Sequence, residues 1–342
     1  MHSSRFAILV VAAACDAGAP ASSRTAPVAC STASPGRTIE IATGLALVER
    51  APSIRWRSAR DGHIYDATRD PVRPEDLGVA SAFAGTRWDD TYWYRVVCVD
   101  DCDDGAGPKG GVERIDKRTG AAQRLGDGDY GLGNITLFGD YVYWGNYGHS
   151  PNDGGVRRVL RRNGPQESIR IWDGREEHIQ SLTPYPGRGV LAVGTVSVAW
   201  IAGTGDRGTI MFDSDMLVGD AVVDGDFVYL TERDQRFDRR PGHIYRVSLA
   251  TRAVLRLTGP LDQPARIALH GGRVYFTLDD NAGIWSVPTA GGVVTRTIGD
   301  GPYDLELGEE PLGLWAHPCG LVWLRGNPAV PSTQRLLFQP WP

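Results

Sequence analysis

Helical periodicity is what this sequence most conspicuously lacks. No stretch places apolar residues every three to four positions for long enough to make an amphipathic helix. That excludes a chain built of long helices. Methionine is scarce, three residues in 342, whereas 43 Gly and 22 Pro punctuate the chain with turns. A basic excess is missing as well: 36 Lys and Arg stand against 41 Asp and Glu. General nucleic-acid binding, which needs cations to neutralise phosphates, is therefore excluded. No Ser sits in a Gly-x-Ser-x-Gly turn, no His-x-x-x-His or Cys/His spacing suits zinc, and Asp100 to Gly105 lacks the spacing of an EF-hand loop.

What is present begins with an address. A polar start containing Arg5 is followed by the apolar run Phe6 to Val11, then Ala12, Ala13, Ala14 and Cys15. The run is too short to span a bilayer and has the shape of a secretory signal. Small residues before Cys15 resemble the bacterial lipobox, although Ala12 stands where that motif favours Leu. Residues 1–14 are thus expected to be a signal peptide and Cys15 the lipidated first residue of the mature chain. The rest of 15–37, rich in Ala, Ser, Pro and Thr, reads as a tether, and 38–342 as one domain. The expected location is the bacterial cell envelope, on its periplasmic or extracellular side.

Within the domain, repetition dominates. A strand ending in an aromatic or large apolar residue recurs at Ser53–Trp56, Thr91–Tyr94, Tyr141–Trp144, Val196–Trp200, Phe227–Leu230, Arg273–Phe276 and Leu321–Leu324. A Gly-led strand follows each, as at Gly62–Tyr65, Gly110–Arg114, Gly154–Arg158, Gly208–Ile210, Gly242–Arg246 and Ala282–Trp285, with a degenerate Thr333–Leu336 last. The period of ~45 residues is that of a β-propeller blade, a four-stranded sheet that buries its faces only against neighbouring blades. An all-β propeller is expected, with seven blades read from the count and six or eight as the alternatives. Labelling strands A to D outward from the channel, the aromatic strand is B and the Gly-led strand C.

Two details follow from that frame. Asp213 to Gly225 looks too short for a D and an A strand, which predicts an irregular fourth blade. The last blade ends after its C strand, so Thr38 to Ala42 is expected to supply the missing strand and close the ring. In an oxidising compartment Cys30, Cys98, Cys102 and Cys319 allow three pairings. Closure puts Cys30 and Cys319 on one side of one blade, so Cys30–Cys319 and Cys98–Cys102 are the expected disulfides.

Tyr141–Asn146, Gly242–Val247 and Ile284–Pro288 resemble repeats of the YWTD and NHL-like propellers, and the chain looks similar to bacterial lipoproteins built from such repeats. The resemblance spans Ile54 to Leu324 and implies a fold, not an activity, because one propeller scaffold hosts binding proteins, lyases and lactonases. The YWTD tetrapeptide itself is absent.

Candidate chemistry is sought where B–C and D–A loops converge. That face collects Asp100, Asp101, Asp103, Asp104, Asp127, Asp129, Asp153, Asp279, Asp280 and Asp304, with His149 and His178. Three readings stay open: turn residues capping their own backbone, a Ca²⁺ site of converging oxygens, or an acidic surface for a cationic partner. Arg236, Arg239 and Arg240 form a basic loop that either binds an anion or pairs with Asp234 and Asp238. His63 and His243 share a repeat position and read as structural. No cofactor is predicted, Ca²⁺ being the one cation the acids would suit, and no catalytic residue is assigned. The leading expectation is a tethered module that binds an envelope protein or a small ligand. The alternatives are a metal-dependent, lactonase-like hydrolase or lyase, and a structural scaffold.

Overall fold

Alternation with a period of two, cut by glycine turns, gives seven four-stranded antiparallel sheets arranged as a seven-bladed propeller. The structure is a computed structural model describing residues 37–49, 54–58, 60–79, 87–100, 109–128, 135–146, 155–169, 171, 178–234, 240–279, 283–298, 310–327 and 330–341. Blade 1 holds β2 (Leu45–Glu49), β3 (Arg55–Ser58), β4 (His63–Asp66) and β5 (Glu75–Val79). Blade 2 holds β6 (Arg87–Trp88), β7 (Tyr92–Asp100), β8 (Lys109–Asp116) and β9 (Ala122–Gly128). Blade 3 holds β10 (Ile135–Phe138), β11 (Tyr141–Asn146), β12 (Gly155–Leu160) and β13 (Glu167–Ile169). Blade 4 holds β14 (Ser181–Tyr185), β15 (Gly189–Val193), β16 (Ser197–Ala202) and β17 (Gly208–Asp213). Blade 5 holds β18 (Leu217–Asp224), β19 (Phe227–Arg233), β20 (His243–Ser248) and β21 (Val254–Arg256). Blade 6 holds β22 (Pro264–His270), β23 (Arg273–Leu278), β24 (Ile284–Pro288) and β25 (Thr295–Ile298).

Blade 7 is built from both ends of the domain. Strands β26 (Glu310–His317), β27 (Gly320–Gly326) and β28 (Arg335–Pro340) are completed by β1 (Ile39–Thr43), which pairs antiparallel with β28 through Ile39–Phe338 and Thr43–Arg335. The expected closure by Thr38 to Ala42 is the one observed.

Blade 4 corrects the sequence reading. Val196–Trp200 and Gly208–Ile210 belong to β16 and β17, the third and fourth strands of that blade, not the second and third. The true inner pair is β14 and β15, and Leu217–Asp224 opens blade 5, so the fourth blade is regular. The error came from taking Trp200 as the marker of a B strand, when this blade's B strand is the wholly aliphatic Gly189–Val193.

Why strands read as nearly continuous apolar runs is visible in β19. Val228 and Leu230 enter the cluster against blade 4, while Tyr229 between them enters the cluster against blade 6. Among the described residues seven such clusters occur, one for each seam of the ring. At ~25 cal/mol per Å² of apolar area, this side-to-side burial is what joins the blades. Trp56, Trp144 and Trp323 lie in seams at 3 %, 0 % and 3 % exposure, which gives these Trp a packing role.

Arginines stitch the same seams. Arg158 of β12 donates to the carbonyls of Thr204 (2.6 Å) and Gly205 (2.9 Å) in the next blade's C–D turn, and its guanidinium lies 4.3 Å over the Tyr141 ring. Arg114 reaches the Arg161 carbonyl while stacked 4.7 Å over Tyr92. Arg246 reaches Thr289 O (3.1 Å) while stacked 4.6 Å over Phe227. Each Arg comes four residues after the Gly that leads its C strand, and each aromatic opens a B strand. In blade 1, Asp66 holds the Arg position, pairs with Arg55 at 2.6 Å, and Arg55 covers Trp88 of blade 2 at 4.5 Å.

A histidine does this work where the ring closes. His317 Nε2 lies 3.0 Å from the Thr68 carbonyl of blade 1, and its Nδ1 accepts the Cys319 amide at 3.1 Å. That pattern requires the neutral Nε2–H tautomer, and burial holds the imidazole below its ordinary pKa. A depressed histidine stabilises the fold fully above its unfolded pKa of about 6.5 and progressively less as pH falls below it. His63 has the opposite sign: its hydrogen bond to Asp76 raises it, so its contribution is complete below about 6.5 and fades at higher pH. His63 is exposed and its pairing screened by solvent, so the buried His317 sets the sign: the melting temperature is expected to drop on acidification from neutral, with a shallower drop in His317→Gln. An equal acid slope in that variant would remove His317 as its source.

Candidate functional site

Strand direction fixes two ends of the channel. A–B and C–D turns meet at one, here the turn end; B–C and D–A loops meet at the other, the loop end. The described part of the loop end is an interlocked set of ion pairs. Arg240 pairs with Asp215 at 2.8 Å and contacts Asp234 at 3.6 Å, while its amide donates to Asp234 at 3.0 Å. Gln263 ties the loop down, accepting the Asp234 amide (3.0 Å) and donating to Arg240 O (3.1 Å). Arg233 pairs with Asp279. For Arg240 the internal-pairing reading of the basic loop is the geometry found.

The other sequence-selected residues are dispersed. Asp127 is exposed and pairs with Arg124 at 2.9 Å. His178, also exposed, precedes β14, and its carbonyl accepts the Thr195 hydroxyl at 3.3 Å. Asp100 ends β7 opposite Lys109, and Cys98 lies in the same strand opposite Gly110. Cys319 is buried in the β26–β27 turn and has an interaction partner of its own. Cys15, Cys30, Cys102, Asp101, Asp103, Asp104, Asp129, His149, Asp153, Arg236, Arg239, Asp280 and Asp304 lie outside the described residues. Among the described residues no three His, Cys, Asp or Glu side chains gather as a metal-binding group.

A buried carboxylate, not singled out in the sequence, anchors this end. Glu232, 6 % exposed, accepts the hydroxyls of Ser214 and Tyr245 (3.0 Å), with His243 Nδ1 at 3.5 Å. Burial and the adjacent Glu232 charge push the Tyr245 phenol up to about 12, so it stays a donor at any physiological pH. His63 and His243 both open C strands and both contact the Tyr two residues on, in keeping with a repeated structural position.

The turn end holds a cavity of about 620 Å³. Its walls are the final residues of β18, β22 and β26, chiefly Val222, Ile267, Leu269 and Leu314, with Trp315. The Gly271–Gly272 turn on its rim has φ of 56° and 72°, the mirror-image hairpin conformation that side chains resist. Val222, Ile267, Leu314 and Trp315 also border a second space deeper in the channel, of about 40 Å³. Ser181, Thr183, Tyr185, Asp220 and Arg266 face that inner space. Thr68, Arg69, Asp224, His270, Arg273 and Thr289 add polar and charged groups to the walls of the larger space, so apolar strand ends and polar turn residues line it together. This vestibule has the size of a small-molecule site.

Sequence reasoning passed over Asp220 and Arg266. The signal lay in equivalent positions of two repeats, but seeing it required the correct strand phase of blade 5. Asp220 sits at a register break in β18, where its amide donates to the Thr231 hydroxyl at 2.9 Å. Arg266 sits at the corresponding break in β22, its amide donating to the Thr277 hydroxyl at 3.1 Å. Both threonines are fully buried. Bulges of this kind re-aim a side chain, and they favour sites of function.

No family model matches the chain, and no curated protein matches it in sequence. Solved structures do. An oligogalacturonate lyase from Vibrio parahaemolyticus superposes with a TM-score of 0.56 at 9 % identity, over 89 % of this chain and 93 % of that one. A chain of a mitotic checkpoint complex gives 0.56 at 14 % identity over 100 % of both chains. Apo AztD from Citrobacter koseri gives 0.49 at 17 % identity, over 75 % of this chain and 71 % of that one. At these identities the likeness is one of fold alone: this chain is a seven-bladed β-propeller.

Proposed function

We propose that this propeller is an exported binding module, tethered through a lipidated Cys15, whose ligand enters the channel from the turn end. The observation that carries the reading is the cavity itself, a vestibule of about 620 Å³ at the turn end whose walls combine apolar strand ends with Arg69, Asp224, His270 and Arg273. Strand β1 begins at the same end, so the segment linking Cys15 to the domain leaves beside the vestibule. That segment, 16–37, reaches at most ~75 Å when extended, long enough to let the mouth stand clear of a membrane. A Cys30–Cys319 disulfide belongs to the same proposal, since it would pin the closing strand. Its support is the burial of Cys319 beside the strand that β1 completes and its engagement with a partner.

One preparation tests these points. The intact protein should fractionate with membranes and Cys15→Ser should not; peptide mapping without reductant should recover Cys30 linked to Cys319. In a thermal-shift screen of amino acids, sugars, organic acids and short peptides, a ligand at one hundred times its Kd should raise Tm by roughly 5 °C. Ala316→Trp, which fills the vestibule wall, should abolish that rise. A screen without shifts, or shifts unchanged in Ala316→Trp, would refute binding in the channel.

A further inference from the structure

We propose that the outer edge of blade 5 is a docking site for an extended, acidic segment of a partner protein, which adds to β21 as a fifth strand. Blade 5 ends at β21, which pairs with β20 on its inner side and with no described strand on its outer side. Such an edge offers a row of N–H and C=O groups to an incoming strand. Neither a proline nor a bulge blunts it. Val254 and Leu255, at 51 % and 41 % exposure, and Val293 of blade 6, at 78 %, are three of the four large apolar side chains that stand exposed among the described residues. They lie in one sector. Leu257, on the same strand face as Leu255, accepts the Gly292 amide at 3.4 Å, which brings the turn carrying Val293 against blade 5. Exposed apolar residues gathered in this way, rather than scattered singly, mark an interaction surface.

Charge decides what docks there. The outermost strands of the other five blades each carry a carboxylate, Glu75 in blade 1, Asp127 in blade 2, Glu167 in blade 3, Asp213 in blade 4 and Glu40 in blade 7. The chain as a whole has a formal net charge of −5 at pH 7. Strands β21 and β25 have no acid; they carry Arg256 and Arg296, and Arg252 stands in the turn before β21. An acidic segment is thus disfavoured around most of the rim and attracted to this sector. Strand register supplies the pattern it must have. Val254 and Arg256 share a face with Val247 and Tyr245, toward blade 4, whereas Leu255 shares one with Arg246, whose guanidinium reaches blade 6. A strand laid against β21 therefore meets Arg256 and Leu255 on opposite faces, which suits acidic and apolar residues in alternation. A second copy of this chain fits poorly, because a two-fold contact sets the arginines of one sector against the same arginines of the other. A lipid surface would leave the edge's backbone groups without partners.

Fluorescence anisotropy on the intact protein tests this with a fluorescein-labelled peptide of about eight residues that alternates Glu with Val and Leu. Two relatives of the peptide separate charge from backbone pairing: one has Lys in place of every Glu, the other is N-methylated at every amide and so keeps its side chains but has no N–H to pair. The acidic peptide is expected to bind about tenfold or more tightly than either. Leu255→Asp and Arg256→Glu, both exposed on a short outer strand, should each weaken it about tenfold while leaving the urea midpoint in place. No binding of the acidic peptide, equal binding of either relative, or an affinity unchanged in both variants would overturn the proposal. The wild-type peptide series decides even if a variant folds poorly. Sedimentation velocity showing a dimer that Leu255→Asp dissolves would assign the edge to a second copy instead. Flotation of the Cys15→Ser protein with phosphatidylglycerol vesicles, lost in a further Arg256→Glu change, would assign it to a membrane; either result would overturn the peptide reading.

Discussion

Removing β1 by starting the chain at Gly44 should collapse the domain's cooperative unfolding transition, with a broad early melt and aggregation in place of one sharp step. The strand supplies the outer edge of blade 7 through four paired positions on β28, and Ile41 and Ala42 pack on the cluster between blades 7 and 1. Two partly buried isoleucines at ~1–2 kcal/mol each, with about one kcal/mol for each ladder hydrogen bond, give a loss on the order of 5 kcal/mol. A typical domain holds only about 5–15 kcal/mol in all. Truncation also leaves β28 as a bare edge carrying Leu336, Leu337 and Phe338, which invites pairing between chains. Adding the peptide 37–44 in trans should restore the sharp transition. A truncated protein that melts like the intact one would show that closure contributes nothing.

Replacing Arg158 by Ala is expected to cost about 3 kcal/mol, read as a shift in the urea midpoint. The side chain is 6 % exposed and has five roles: two bonds to Glu167 at 2.7 and 2.6 Å, one each to Thr204 and Gly205, and the stack on Tyr141. Glu167 is 38 % exposed, so the ion pair itself is screened and counts for little. The larger loss is two turn carbonyls left without their donor at a seam between blades, together with the packing of the stem. Arg256→Ala on the exposed strand β21 should change stability by under about 0.5 kcal/mol. Equal effects at the two positions would contradict the idea that arginines bind blade to blade.

These two sites also show how much was legible beforehand. The closing strand was visible because blade 7 ran out of sequence after its C strand, and Thr38 to Ala42 was the alternating segment left over. The arginine stitch was equally present, since Arg114, Arg158 and Arg246 each stand four residues past a glycine. It went unread because its acceptors are backbone carbonyls of the next blade, which no sequence pattern displays. Blade 4 failed for a related reason. An aromatic marks a B strand only where a wide wedge needs filling, and Val190 with Leu191 fills this one instead. That one-strand slip concealed β18, and with it the channel-facing position of Asp220. The acidic loops drew attention because they are conspicuous in composition, whereas Asp220 and Arg266 line the channel through their placement on β18 and β22.

The pairing of Ile39 with Phe338 has a kinetic consequence as well. Contacts that span almost the whole chain form slowly, because the entropy of joining distant ends is lost before any packing repays it. Blades 1 to 6 each consist of consecutive hairpins and can form as their sequence emerges, whereas blade 7 must wait for its last strand. A growing chain is therefore an open arc with β1 unpaired, and the ring becomes a single cooperative unit only after residue 338 has arrived.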